Sequence, residues 1–163
     1  MRRVSPAEQA FLGRYFGRSL TAERIRIGTS LGRRSWSPLG ARISLTRDLF
    51  HDGDARAEVR LDDPRAASIF AHEALHVWQR QHGRAVTREG ARLQAGYTLG
   101  LFDPYAYDQS LCDPAALLAA FVLGNIEQQG RMVEDLVRSE LRGEDSARFN
   151  AVAGWIRNTR PPR

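Results

Sequence analysis

The sequence predicts an α+β domain, mostly helical, with a short sheet next to one central helix. Three observations carry this. Helix-start signals recur along the chain, at Ser5-Pro6, Asp63-Pro64, Asp113-Pro114 and Asn125. Alternating apolar residues occur only in short runs between residues 25 and 61. The stretch Phe70-Ala71-His72-Glu73-Ala74-Leu75-His76-Val77-Trp78-Gln79 is apolar nearly all round a helix, yet carries two histidines and a glutamate.

A chain of 163 residues is expected to form one domain spanning 1–163, with a C-terminal helix and basic tail over about 144–163. The single cysteine, Cys112, cannot form an internal bridge. No apolar run approaches the roughly 20 residues of a membrane span, and the start Met1-Arg2-Arg3-Val4-Ser5-Pro6 lacks the apolar core of a signal peptide. The expectation is a soluble protein that starts in the cytoplasm, with no membrane partner. The net charge of +5 is carried by arginine alone, since the chain has no lysine. The arginines are scattered, clustering only at Arg33 and Arg34 and over 157–163, without interleaved aromatics. This is the pattern of a solvated surface rather than of a nucleic-acid interface.

In chain order, Ser5-Pro6-Ala7-Glu8 is a capping box with proline at the first helical position. Ala10, Phe11, Tyr15 and Phe16 follow at helical spacing, ending near Gly17. Ile25 and Ile27, then Ile43 and Leu45, alternate with polar residues and read as two short strands joined by a loop that carries Trp36. Residues 57–61 read as a third extended piece, with an edge to which a peptide could add. Asp63 caps the central helix and Gly83 stops it. Asp113 to Leu123 start and run as a helix, which either covers the cleft or packs on the core. Asn125 opens another helix, with Ile126, Gln129, Val133 and Leu136/Val137 on its apolar stripe. A last helix docks Phe149, Val152 and Trp155/Ile156, and Pro161-Pro162-Arg163 is expected to fray.

The central helix fits the H-E-x-x-H pattern, in which two histidines one turn apart bind zinc and the glutamate is general base. At about 100° per residue, His76 lies about 40° and Glu73 about 100° round the helix from His72, so all three share one side. Burying them together without a partner would be costly, and Zn2+ would satisfy them in one step. Two candidates exist for a third ligand. His82 has the metzincin spacing, but the glycine that pattern needs is replaced by Gln79, so a continuing helix carries His82 about 9 Å along the axis from His76. Met132 lies in a helical pattern and does not resemble a Met-turn. Glu127, in the first turn of the next helix, suits a gluzincin site; it suits equally an exposed glutamate complementing the helix dipole.

Arg3-Val4-Ser5-Pro6-Ala7-Glu8, His72-Glu73-Ala74-Leu75-His76-Val77-Trp78-Gln79, Tyr105-Ala106-Tyr107-Asp108 and Ile126-Glu127-Gln128-Gln129 together resemble the Vgr-related family. These are small bacterial zincin-like metallopeptidase domains found with Rhs and Vgr elements of secretion systems. The resemblance covers roughly residues 3–137 and implies Glu127 as the third metal ligand. It also implies Vgr or Rhs secretion components as partners and export that needs no signal peptide. Two departures stand out: the family pattern continues E-Q-Q with alanine and often an acidic residue four positions after the ligand, where this chain has Gly130 and Arg131. A carboxylate orienting a zinc-bound histidine must then come from elsewhere, with Asp108, Glu134 and Asp135 as candidates.

From these parts the expected activity is zinc-dependent hydrolysis of a peptide or protein substrate. Glu73 would take a proton from the metal-activated water and return it to the leaving amine. Tyr105 or Tyr107 would supply a second donor to the oxyanion. A dormant zincin-fold adaptor of secretion machinery is the alternative. An intact Glu73 favours the enzyme, since a structural zinc site has no use for a general base.

Overall fold

The computed structural model describes residues 1–32 and 34–160. Arg33 and Pro161-Pro162-Arg163, which carry half of one arginine cluster and the expected frayed end, lie outside the described residues. The described residues form six α-helices and a three-stranded sheet: β1 (Arg2–Arg3), α1 (Pro6–Phe16), β2 (Arg26–Thr29), β3 (Arg42–Leu45), α2 (Pro64–Gln81), α3 (Val86–Thr98), α4 (Pro114–Leu123), α5 (Ile126–Arg142) and α6 (Asn150–Asn158). The α+β class expected from the sequence is the one observed. None of the described helices is long and apolar enough to cross a membrane.

The caps form as their residue types dictate. Ser5 and Glu8 close a reciprocal capping box on α1, and Gly17 ends that helix at φ +57°, a conformation that favours glycine. Asp63 accepts from the backbone N–H groups of Arg65 and Ala66 at the start of α2. Helix α2 is buried almost without interruption from Ala66 to Gln79. It lies along α5, whose buried face is Ile126, Gln129, Gly130, Met132, Val133, Leu136 and Val137. This pairing is the spine of the molecule.

The strands pair in the order β1-β2-β3, with β1 antiparallel and β3 parallel to β2. Residues 57–61 are not a strand of this sheet: Val59 forms only an isolated bridge with Phe50, and the third strand is Arg2–Arg3. The reason is local. Arg2 Nη2 donates to the carbonyl of Ala57 at 2.6 Å, and the N–H of Val59 donates to Glu8 Oε1 at 2.9 Å, so side chains satisfy the groups that a ladder would use. The peptide-accepting edge expected there is absent. Instead, the connection between β2 and β3 folds back along β3 through an antiparallel bridge between Trp36 and Ser44. Arg80 on α2 clamps this segment, donating to the hydroxyl and carbonyl oxygens of Ser37.

Helix α3 has no counterpart in the sequence reading. Only Val86 and Gly96 are buried on it, and no side chain caps its start, so neither an apolar stripe nor a cap signals it. Helix α4 is a core helix: Leu117 and Phe121 are fully buried, and Phe121 meets Trp155 of α6 edge-on at 5.7 Å. In the last helix Val152, Ala153 and Ile156 are buried behind Phe149.

Candidate metal centre

One turn of α2 presents His72, Glu73 and His76, and the first turn of α5 presents Glu127 opposite them. The N-terminus of α5 is held firmly. Asn125 Oδ1 accepts from the N–H groups of Glu127 and Gln128, both at 2.9 Å, while Gln128 Oε1 accepts from the Asn125 N–H at 3.0 Å. Glu127 Oε2 then stands 3.3 Å from His72 Nε2 and 3.6 Å from His76 Nε2. All three donor atoms lie within 4.8 Å of one another.

These residues fit a zinc ion on three counts. Donor atoms about 2.0–2.2 Å from a tetrahedral centre stand about 3.4 Å apart, which matches the two separations seen. Two imidazoles and a carboxylate are a catalytic zinc donor set, with a fourth position left open. Finally, among the described residues Glu73 Oε2 is buried without a hydrogen-bond partner, an orphaned acceptor beside the donor cluster. The electrostatics point the same way. Burial works against a charged His72, yet the hydrogen bonds and charges of Glu127, Glu134 and Glu73 outweigh it and raise its pKa to about 10. The cluster thus recruits a positive charge. Burial likewise raises Glu127, but the His72 and His76 imidazoles beside it outweigh this and hold it well below the usual carboxylate range. Glu73 is raised, chiefly by burial and despite the two histidines.

Behind the donors stand two orienting groups. Glu134 Oε2 lies 3.4 Å from His72 Nδ1 and is itself held by Arg138, so Glu134 is the carboxylate chosen from the three candidates. It sits two turns beyond Glu127 on the same face of α5, and Arg131 Nη1 lies 3.5 Å from its other oxygen. Asp108 instead caps a turn at Ser110, and Asp135 accepts from Tyr107. His76 Nδ1 is paired with Gln79 Oε1 at 2.8 Å, a partner the sequence reading missed. Its spacing of three residues from His76 was the available signal. Gly130 is the other omission: an added Cβ would lie 2.6 Å from His72 Cε1, so a side chain there would displace the ring from the place it holds in this chain.

His82 is not among the donors. Its Nδ1 meets the carbonyl of Trp78 at 2.7 Å and its ring stacks on Trp78 at 4.1 Å, so it closes the C-terminus of α2. Tyr105 and Tyr107 part company. Tyr105 lies over the site, its ring 6.3 Å from that of His72. Its hydroxyl is raised to about 12, chiefly by burial and by the charge of Glu127. Tyr107 donates to Asp135 Oδ2 at 2.8 Å, and its hydroxyl is committed there rather than to the cleft.

The cleft runs to either side of this centre. One lobe, of about 380 Å³, is walled by the Trp36 segment and by the α3 residues Val86, Gly90, Ala91 and Gln94. The other, of about 330 Å³, is walled by Arg65, Ile69, Tyr97 and Glu134. His72, Glu73 and Tyr105 border both lobes.

No protein-family profile matches the chain. Among curated proteins it is similar to the type VI secretion system spike protein VgrG2b of Pseudomonas aeruginosa, with 40% identity over 104 residues. The aligned part is 63% of this chain and 9% of that protein, so the chain corresponds to a small part of the spike's length. Among solved structures it is similar to the effector domain of Pseudomonas aeruginosa VgrG2b. That match has a TM-score of 0.68 and 28% identity, and covers 94% of this chain and 82% of the other. The comparisons support the Vgr-related resemblance; the chemistry rests on the residues described above.

Proposed function

We propose that this chain, a relative of a type VI spike protein's effector domain, is a zinc-dependent metallopeptidase that works in or beside such a secretion system. The observation that carries the reading is the buried Glu73 Oε2, without a partner among the described residues, beside the His72–His76–Glu127 donor set and at the meeting point of two cleft lobes. A structural zinc site would need neither the orphaned carboxylate nor the cleft.

His72, His76 and Glu127 would hold the ion. When bound, zinc supplies Lewis acidity toward a water molecule and a peptide carbonyl. Glu73 receives the water's proton at its carboxylate and passes it to the leaving amine; burial strengthens it as a base. Tyr105 stays protonated across the neutral range and so is a hydrogen-bond donor for charge developing on the carbonyl oxygen. An extended substrate has a natural track along residues 34–38, which Arg80 holds at the cleft rim.

A paired assay tests this. The purified protein should bind about one zinc per chain, and Glu73→Gln should retain the metal while losing cleavage of a responsive peptide by about 100-fold or more. If wild type and Glu73→Gln both bind zinc and are equally inert across a broad peptide library, the adaptor reading replaces the enzyme.

A further inference from the structure

The hydrogen bonds behind His76 form a chain whose direction is forced at its far end. Arg84 can only donate, and its Nη1 reaches Gln129 Oε1 at 3.0 Å. The carbonyl of Phe121 can only accept, and it takes Gln129 Nε2 at 2.7 Å. The Gln129 amide is therefore pinned from both sides, with its oxygen toward α2. Gln79 must answer with its NH2 group, which donates to Gln129 Oε1 at 2.8 Å and to the carbonyl of Ile126 at 3.3 Å. That leaves Gln79 Oε1, which can only accept, against His76 Nδ1 at 2.8 Å. His76 must then carry its proton on Nδ1, and the Nε2 lone pair faces Glu127.

The relay is dry and anchored. Gln79 and Gln129 are 0% and 3% exposed, so water does not compete for their groups. Arg84 is held by Glu89 Oε1 at 2.7 Å, and the same oxygen accepts the N–H of Ile126 at 3.2 Å, tying the start of α3 to the start of α5. Glu134 performs the matching task for His72 with a single carboxylate. For His76 a neutral amide pair does it, and its orientation is set outside the cleft.

We propose that Gln79 is a positioning residue of the metal centre, with Gln129 and Arg84 as its backing. The relay locks His76 in the Nδ1–H tautomer and so keeps Nε2 as the ligand atom. Its purpose rests on the zinc reading of the site; the tautomer does not. The relay also gives a task to the glutamine closing H-V-W-Q and to the second glutamine of E-Q-Q.

The test reads imidazole 15N shifts of the metal-free protein in mildly alkaline buffer, together with zinc affinity by chelator competition. Wild type, Gln79→Met and Arg84→Met are compared. Wild-type His76 should be the Nδ1–H form, and Gln79→Met should populate Nε2–H and lower zinc affinity about 10- to 100-fold. Arg84→Met, half-buried and separated from the ring by Gln79 and Gln129, leaves the carbonyls of Phe121 and Ile126 to orient both amides, so it should keep the Nδ1–H form with a smaller loss of affinity. The wild-type tautomer keeps the test decisive should Gln79→Met not fold. A wild-type His76 in the Nε2–H form overturns the relay. So does an unchanged tautomer in folded Gln79→Met, even with lowered thermal stability. A wild type that shows the Nδ1–H form but binds no zinc supports the lock and removes the zinc reading, which separates the two claims.

Discussion

At the scale of single residues, the site depends on how closely α5 approaches α2, and Gly130 sets that distance. A methyl group there would stand 2.6 to 2.9 Å from three atoms of the His72 ring. The ring or the helix must move, so Gly130→Ala should lower zinc affinity about tenfold or more. A chelator-competition titration checks this, and circular dichroism shows that the helices persist. The motif His72-Glu73-x-x-His76 was legible because its spacing alone places three polar groups on one turn. Glu127 was legible only with the help of resemblance, since a first-turn glutamate reads equally well as a dipole partner. Gln79 was noticed only as a missing glycine. Its pairing with His76 depends on Gln129 and Arg84, which are distant in sequence and meet it only in the fold.

At the scale of elements, the helices with caps and stripes were readable and the helix with neither was not. Helices α1, α2 and α5 announce themselves through Ser5, Asp63 and Asn125 and through continuous buried faces. Helix α3 covers a cleft instead of a core, so its inward residues are small or polar and leave no periodic trace. Residues 57–61 alternate like a strand, but their backbone is claimed by Arg2 and Glu8. The cap on α5 also bears on function, because Glu127 is the second residue of that helix. Asn125→Ala should cost about 0.5–2 kcal/mol of stability. Fraying of that turn should also weaken zinc binding, whereas Asp113→Ala, which uncaps α4, should cost similar stability and leave zinc affinity unchanged. Denaturant melts and zinc titrations on the two variants make the comparison.

At the scale of the whole molecule, Glu8 ties the N-terminal strand, α1 and the 54–59 loop together. It is 0% exposed and accepts from Arg2 Nη1 at 2.7 Å, Arg2 Nη2 at 2.6 Å, the Ser5 N–H at 2.8 Å and the Val59 N–H at 2.9 Å. Burial raises its pKa, but the bonds from Arg2, Ser5 and Val59 outweigh this and hold it below the ordinary 4.5. A carboxyl depressed on folding contributes stability that is complete above its unfolded value and is lost as pH falls through the folded one. Glu8→Ala, which leaves Arg2 with its partner removed, should cost about 3–5 kcal/mol at neutral pH. The gap to wild type should narrow on acidification to about pH 3 in urea melts. A gap that widens on acidification would contradict the sign. The core these contacts close runs from Val4 to Ile156 around α2, and it fixes α2 against α5, where the proposed metal ligands meet. Zinc titration of wild type, Glu127→Ala and His82→Ala tests that most directly. The expected result is about one zinc per chain, an affinity about 100-fold or more lower in Glu127→Ala, and little change in His82→Ala. A wild type that binds no zinc, or a larger loss in His82→Ala than in Glu127→Ala, would contradict it.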